Sequence, residues 1–343
     1  MQEEPNAVTE ATSVSAGERD FWTQFAVHQF RFRLTWTSKV TLPLFKGSAF
    51  RGVLGFAMRA LVCPHDPSAQ CQDCSDACTC PYAILYESIP ASGTATSRFR
   101  DTPKPFVIIP PLTTKVYYVP GDHMEFDVVL VGEAVTLLPA IAAAFSLVGL
   151  SGFRGTDGRF TLESIHTIDR QGETAWCTHP EPQPAWFANR WMDADLAALP
   201  TLRFGDVAAR TPRSASLSFF TPLRLRKEGH LLTEDLPFYC LMERLYERAW
   251  LLGALYCGLQ MPDCDYLVRS SRDITATASD LKWYDWKRVS IRSGRVDFGG
   301  LVGTVTYEGN LAPFLPFLEL GTVIGAGQGT TMGMGRYMMT LEQ

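Results

Sequence analysis

Gly325-Ala326-Gly327-Gln328-Gly329-Thr330-Thr331-Met332-Gly333-Met334-Gly335-Arg336-Tyr337 is the stretch on which the reading of this chain turns. With Gly321 it concentrates glycine ahead of a short β-like run, Tyr337 to Leu341, so we expect a glycine-rich loop feeding a final strand. Without Cβ atoms such a loop can lie close to a ligand and turn N–H groups toward an anion such as phosphate. It can equally be a flexible turn or pack tightly on a neighbouring strand. The segment holds no lysine and lacks the spacing of the nucleotide-binding P-loop.

Working backward, the loop closes a repeated pattern. Leu217–Leu225 reads as a strand, Leu236–Tyr256 as a helix with Phe238, Leu241, Leu245, Ala249 and Leu252 on one face, and Leu311–Leu320 as a second helix. Between the helices we expect a hairpin of Trp286–Ile291 with Gly300–Tyr307, turning through Arg292 to Arg295. The first half has the same order. Phe30, Phe32, Leu34 and Trp36 alternate with Gln29, Arg31, Arg33 and Thr35 in a half-buried strand. A helix follows from Gly47 to Leu61, opened by Lys46, Gly47 and Ser48 and carrying Arg51. Strands are expected at Phe106–Ile109 and Met124–Val131, with Thr113–Val119 pairing between them, then a helix at Val135–Val148 and a strand at Phe160–Ile168. The fold class is therefore α+β: two tandem ferredoxin-like (RRM-like) domains, residues 25–168 and 216–343, each β-α-β-β-α-β. Residues 1–24 read as a disordered tail. Residues 169–215 read as a linker or insertion with a short helix near Trp191 to Ala198.

At 343 residues the chain exceeds one ordinary core, consistent with two domains. The apolar run Ala134–Leu150 is interrupted and reads as too short for a bilayer, and the N-terminus lacks a signal-like apolar core. We expect a cytoplasmic protein with no membrane partner. A net charge of −5 argues against indiscriminate nucleic-acid binding but permits a locally basic face.

Five cysteines, Cys63, Cys71, Cys74, Cys78 and Cys80, crowd an insertion at residues 63–80. In a cytosolic chain this density points to metal rather than disulfides. Four thiolates suit a structural zinc ion better than an iron–sulfur cluster. The expected ligands are Cys63, Cys71, Cys74 and Cys80, with Cys78 or His65 as a substitute.

Taken together, the tandem halves, the Gly325–Tyr337 loop and Phe219-Phe220-Thr221-Pro222-Leu223-Arg224 resemble the CRISPR-associated repeat-RNA processing endoribonucleases of the RAMP superfamily. Leu44-Phe45-Lys46-Gly47-Ser48-Ala49-Phe50-Arg51-Gly52 and the cysteine loop ending Cys80-Pro81-Tyr82 resemble the branch with a Cys-rich N-terminal insertion. The resemblance implies binding of CRISPR repeat RNA and one cut at a fixed position, with no catalytic cofactor. Attack of a ribose 2′-hydroxyl would leave a 2′,3′-cyclic phosphate.

That family commonly places a catalytic histidine between the first strand and the end of the first helix. Here Thr37–Leu61 has none; the histidines are His28, His65, His123, His166, His179 and His230. Lys46 and Arg51 stand in the region and become the catalytic candidates, Lys46 as acid or electrostatic stabiliser and Arg51 as phosphate clamp. The RNA-binding candidates are Gly325, Gly327, Gly329, Thr330, Thr331, Gly333, Gly335 and Arg336, joined by Arg288, Arg292 and Arg295 of the expected hairpin. Trp283, Tyr284 and Trp286 are candidates for base stacking. Two alternatives stand beside the enzyme: an RNA-binding effector subunit that does not cut, and a zinc-stabilised protein-binding scaffold.

Overall fold

The computed structural model describes residues 16–65, 69–87, 102–153, 155–178, 199–205, 210–260, 265–285, 287–290 and 294–343. The chain opens with α1 (Ala16–Gln24). A first unit follows: β1 (Val27–Trp36), β2 (Val40–Thr41), α2 (Gly47–Val62), β3 (Phe106–Ile109), β4 (Tyr117–Tyr118), β5 (His123–Val131), α3 (Leu138–Ser151), β6 (Phe160–Asp169) and β7 (Gly172–Thr178). The second unit contains β8 (Ser214–Leu223), β9 (Arg226–Lys227), β10 (His230–Leu231), α4 (Phe238–Tyr256) and α5 (Asp265–Ser270). It continues with β11 (Thr275–Ser279), β12 (Lys282–Tyr284), β13 (Lys287–Ser290), β14 (Gly294–Asp297), β15 (Gly300–Glu308), α6 (Leu315–Ile324) and β16 (Tyr337–Glu342).

Strand order is β3-β5-β1-β6-β7 in the first sheet and β11-β15-β8-β16 in the second, all antiparallel pairs. Setting aside the extra edge strand β7, both place the first strand centrally, beside the third and fourth. This is the ferredoxin-like order, and the chain is two such units in tandem. The alternation in β1 sets the layers. Phe30, Phe32, Leu34 and Trp36 are buried beneath α2 and α3, with Phe50, Leu54, Phe126 and Phe145. Each such side chain contributes about 1.5–3 kcal/mol by leaving water.

The opposite face of the first sheet is apolar at one end only. There Val27, Val107, Ile109, Val129 and Val131 join the core of the second unit, so the two units share a hydrophobic seam. Farther along, the same face carries Gln29, Arg31, Arg33 and Thr35.

Several expectations are corrected. The disordered tail 1–24 gives way to α1 from residue 16; residues 1–15 lie outside the described part. Phe21, Trp22 and Phe25 fall on one helical face and are buried, Trp22 lying edge-on to Phe317 of α6 with ring centroids 4.9 Å apart. The linker 169–215 begins with β7, which extends the first sheet, while Leu202 bridges to Val27. The short helix expected near Trp191 lies outside the described residues. The expected 286–300 hairpin is replaced. Lys287–Ser290 pairs with Gly294–Asp297 as a separate ribbon, and Gly300–Glu308 pairs instead with β11 and β12. The alternating Thr-Ala-Thr-Ala of β11 carried too weak an apolar signal to be read as a strand. Tyr117–Tyr118 pairs with β2 rather than between the main strands.

Gly132–Ser151 is long and apolar enough to cross a membrane by length and composition, contrary to the reading of that run as too short. In the fold it is a core helix, with Leu138, Ile141, Ala142, Phe145 and Val148 buried.

Gly52 offers a local test. It sits inside α2, exposed, and a Cβ there would meet nothing within 4 Å. Gly52→Ala should raise stability by about 0.5–1 kcal/mol through lost unfolded-state freedom, read as a higher urea midpoint at unchanged slope. A lower midpoint would mean that α2 is not helical there.

Candidate functional site

The glycine loop does not stand open. Its Thr330–Met332 turn packs against α2 and β3 of the first unit. A Cβ on Gly47 would come within 1.9 Å of the Met332 carbonyl oxygen, and one on Gly333 within 2.6 Å of Pro110. The backbone amides of Gly325, Ala326, Gln328, Met332, Gly333, Met334 and Gly335 donate to carbonyls of the chain itself, and that of Arg336 donates to Thr221 Oγ1. The expectation of a loop laying its amides on phosphates is thus corrected for most of its length: those donors are committed within the protein. Gly325, Thr330, Gly333 and Gly335 are buried, and Gly327, Gly329 and Thr331 half-buried. Tight packing is the main use of glycine here.

The catalytic candidates meet this loop from the other side. Lys46, at the start of α2, is fully buried. Its Nζ donates to the Leu44 and Thr113 carbonyls, at 3.2 and 3.0 Å, and burial lowers its pKa. The exposed, anion-facing Lys46 expected from sequence is therefore not what the fold provides, because the Leu44–Thr113 loops close over it. Arg51 is half-buried at the seam. Its Nε donates to Thr331 Oγ1 at 3.0 Å, its guanidinium lies 5.2 Å from the Tyr86 ring centroid, and the Tyr86 hydroxyl donates to the Arg51 carbonyl at 2.8 Å. The structure thus brings Arg51 and Thr331 together and sets Lys46 apart from solvent.

A second polar cluster lies on the open face of the first sheet. Asp127 on β5 accepts from Arg31 Nε at 2.9 Å, Arg31 Nη2 at 3.2 Å and Gln29 Nε2 at 2.8 Å. Beside it, Arg33 donates to Glu125 at 2.6 Å and to His166 Nε2 at 3.0 Å, and Ser164 Oγ lies 2.7 Å from the same nitrogen. Arginine can only donate, so Nε2 is an acceptor and the imidazole carries its proton on Nδ1. Arg336, from the end of the glycine loop, lies within Coulombic reach of Asp127 and 5.1 Å from the Phe220 ring centroid. Burial pulls its pKa below the usual guanidinium range, with Asp127 partly offsetting the shift. Its Nε is shut off from solvent with no hydrogen-bond partner.

This arrangement suits an anion. A half-buried guanidinium whose charge is only partly offset by Asp127 gains from an anion that supplies a further acceptor. Sequence reading named Arg336 but missed Arg31, Arg33, Asp127 and His166 as a group. Their only signal was the polar half of the β1 alternation, which resembles any solvated strand face.

Of the hairpin arginines, Arg288 and Arg295 lie on β13 and β14, one paired position apart, and Arg292 lies outside the described residues. Tyr284 is exposed, Trp283 donates to Asp285, and Trp286 lies outside the described residues.

In the cysteine loop, Cys63, Cys71, Cys74 and Cys80 line one cavity of about 210 Å³ together with His65 and Asp76, while Cys78 is exposed. Among the described residues the close group of metal-capable side chains is His65, Cys74 and Asp76, whose donor atoms lie within 4.8 Å of one another. Of the expected cysteine ligands only Cys74 belongs to it. Cys63 is engaged by the Arg59 side chain, and Cys71 and Cys80 pack on the edge of the first core. Sulfur, imidazole and carboxylate donors fit zinc.

Comparisons with known proteins follow the same division. Residues 25–184 match a family described as an N-terminal domain, and residues 217–337 match the family described as CRISPR-associated endoribonuclease Cas6. No curated protein matches the sequence significantly. Among solved structures, the fold is similar to a Cas6 product complex at 12% identity, with a TM-score of 0.54 over 92% of this chain and 100% of the other. Cas6 of Thermus thermophilus is similar at 14% identity and a TM-score of 0.50, over 92% and 99%. A partial Cas6-RT-Cas1–Cas2 complex is similar at 14% identity and a TM-score of 0.55 over 93% of this chain. The chain spans 46% of that protein, and 29% of the corresponding chain in a second Cas6-RT-Cas1–Cas2 complex. The chain thus shares the fold of the solved Cas6 structures, and its second unit, over residues 217–337, matches the CRISPR-associated endoribonuclease Cas6 family.

Proposed function

We propose that this protein binds CRISPR repeat RNA across the seam between its two units and cleaves the precursor transcript once per repeat. The observation that carries this reading is Arg336. Its half-buried guanidinium, at the end of a glycine loop wedged between the units and over the Phe220 ring, presents a cation that a phosphate would pair with. Arg31 and Arg33 stand along β1 paired with Asp127 and Glu125, and Arg288 and Arg295 lie on the separate β13–β14 ribbon. The similar structures include a Cas6 product complex and Cas6-RT-Cas1–Cas2 assemblies, which supports repeat RNA and other CRISPR proteins as partners.

The finer proposal is transesterification without metal. The ribose 2′-hydroxyl attacks the adjacent phosphate, the 5′ oxygen of the next nucleotide departs, and a 2′,3′-cyclic phosphate remains. Arg51 would stabilise charge on the phosphorane. Lys46, enclosed as it is, would act by holding the Leu44 and Thr113 carbonyls and so setting the approach to Arg51. Zinc, where bound in the cysteine loop, would supply order to that loop. The expected location is the cytoplasm.

A second reading is favoured by the enclosure of Lys46 and the absence of histidine from Thr37–Leu61: an RNA-binding subunit that does not cut. One assay separates the two. Purified protein is incubated with its own CRISPR repeat RNA in excess EDTA and the product ends are determined. One product pair, with a cyclic phosphate upstream and a free 5′-hydroxyl downstream, is expected. Tight binding with intact RNA establishes the second reading instead.

A further inference from the structure

We propose that the cysteine loop is a zinc site held by His65, Cys71, Cys74 and Asp76, and that its occupancy fixes Arg51 at the seam between the two units. Three of these ligands are already gathered, with donor atoms within 4.8 Å of one another. A fourth completes a tetrahedron. We assign the fourth position to Cys71, which lines the same cavity as Cys63 and Cys80 but alone shares a tight turn with Cys74; its sulfur stands outside the close group and would swing in on binding. In that turn the Cys74 amide donates to the Cys71 carbonyl at 3.2 Å, the backbone of a Cys-x-x-Cys knuckle. Two thiolates, one carboxylate and a neutral imidazole leave a zinc complex with one net negative charge. Arg59 stands in the field of Cys71 and Cys63 to balance it, its Nη2 donating to the Ala69 carbonyl at 2.7 Å. The loop itself buries almost nothing: Gln70, Gln72, Asp73, Ser75 and Asp76 are exposed. Without a metal it has little to hold it closed.

A continuous set of contacts runs from this loop to the seam. Tyr82 lines the cavity and lies 5.5 Å from the Arg59 guanidinium. It stacks on Tyr86 with centroids 5.3 Å apart and planes inclined by 6°. Tyr86 in turn lies against the Arg51 guanidinium and donates its hydroxyl to the Arg51 carbonyl. Arg51 reaches Thr331 of the glycine loop. Closing the loop on zinc therefore fixes Cys80–Tyr82, and through the tyrosine pair the position of Arg51. Arg51 is a positioning or phosphate-contacting group; the metal touches no substrate.

The test uses the full chain and zinc itself. Mass spectrometry of protein purified from zinc-supplemented cells should give one zinc per chain. His65→Ala and Cys74→Ser should lower occupancy at least tenfold, and Cys78→Ser should leave it unchanged. Cobalt loaded in place of zinc should show a thiolate charge-transfer band that falls by about half in Cys71→Ser. Should the variants fail to fold, chelation and re-addition of zinc on the wild-type chain decides. Stripping should speed amide exchange across Ala83–Glu87 and Thr330–Met332, and zinc should restore protection. A wild-type chain without zinc, or full occupancy in both His65→Ala and Cys74→Ser, overturns the site. Exchange at 83–87 and 330–332 indifferent to stripping overturns the link to Arg51.

Discussion

Gly335→Ala is expected to destabilise the chain by about 2–5 kcal/mol. Gly335 has φ +66, a left-handed conformation that costs an L-residue about 1–2 kcal/mol. Its Cβ would also lie 1.9 Å from the Ala326 carbonyl oxygen, backbone that cannot step aside without breaking the Ala326–Gly335 hydrogen bond of 2.9 Å. Overpacking of this kind adds about 1–3 kcal/mol. Gly47→Ala meets the second obstacle alone, at the Met332 carbonyl, and should cost about 1–3 kcal/mol. Urea denaturation of the two variants beside Gly52→Ala checks the scheme, because the three should split in sign. An open phosphate-binding loop predicts something else: Gly335→Ala would keep its stability and lose only RNA affinity. Midpoints for Gly335→Ala and Gly47→Ala within 0.5 kcal/mol of wild type, by ordinary surface standards, would support that alternative.

Arg336→Met should separate binding from stability in the opposite direction. Removing a guanidinium whose Nε has no partner relieves a desolvation cost, so the variant should be as stable as wild type or more so. Repeat-RNA affinity should nevertheless fall about 10–100-fold, the worth of a charge-assisted hydrogen bond of about 1.5–3 kcal/mol. The dependence of log K on log salt should flatten by about 0.7, one phosphate contact on a single strand. Titration of labelled repeat RNA at several salt concentrations measures both. An Arg336→Met protein that binds RNA as tightly as wild type removes the observation on which the functional reading rests. One that merely unfolds shows Arg336 to be structural.

The fold was legible from sequence because its two β-α-β-β-α-β units are strongly patterned: β1 alternates at period two, and α4 repeats apolar residues at helical spacing. The second strand of the second unit was misplaced, since Thr275–Ser279 is short, small and exposed on both faces, whereas Lys287–Ser290 looks more like a strand and is only a side ribbon. Site residues were harder to read for a physical reason. Sequence fixes which residues lie on a strand face but not what covers that face, so the Arg31–Asp127–Arg336 grouping across two units was invisible. Lys46 shows the converse. A lysine at a helix start reads as exposed, and only the three-dimensional path of the Leu44 and Thr113 loops encloses it. For the cysteines, spacing identified the loop but could not rank Asp76 and His65 above the thiols.

Helix α1 has one more consequence, in the timing of synthesis. Phe21, Trp22 and Phe25 pack with Phe204, Phe317 and the Gly253 region of α4, so α1 completes a unit that is synthesised well after it. At translation rates of roughly 5–20 residues per second, about 15–60 s pass between the emergence of α1 and that of its partner α6. Throughout that interval three large aromatic side chains have no native surface to cover them. The nascent chain should therefore be a ready client for holdase chaperones until α6 has emerged.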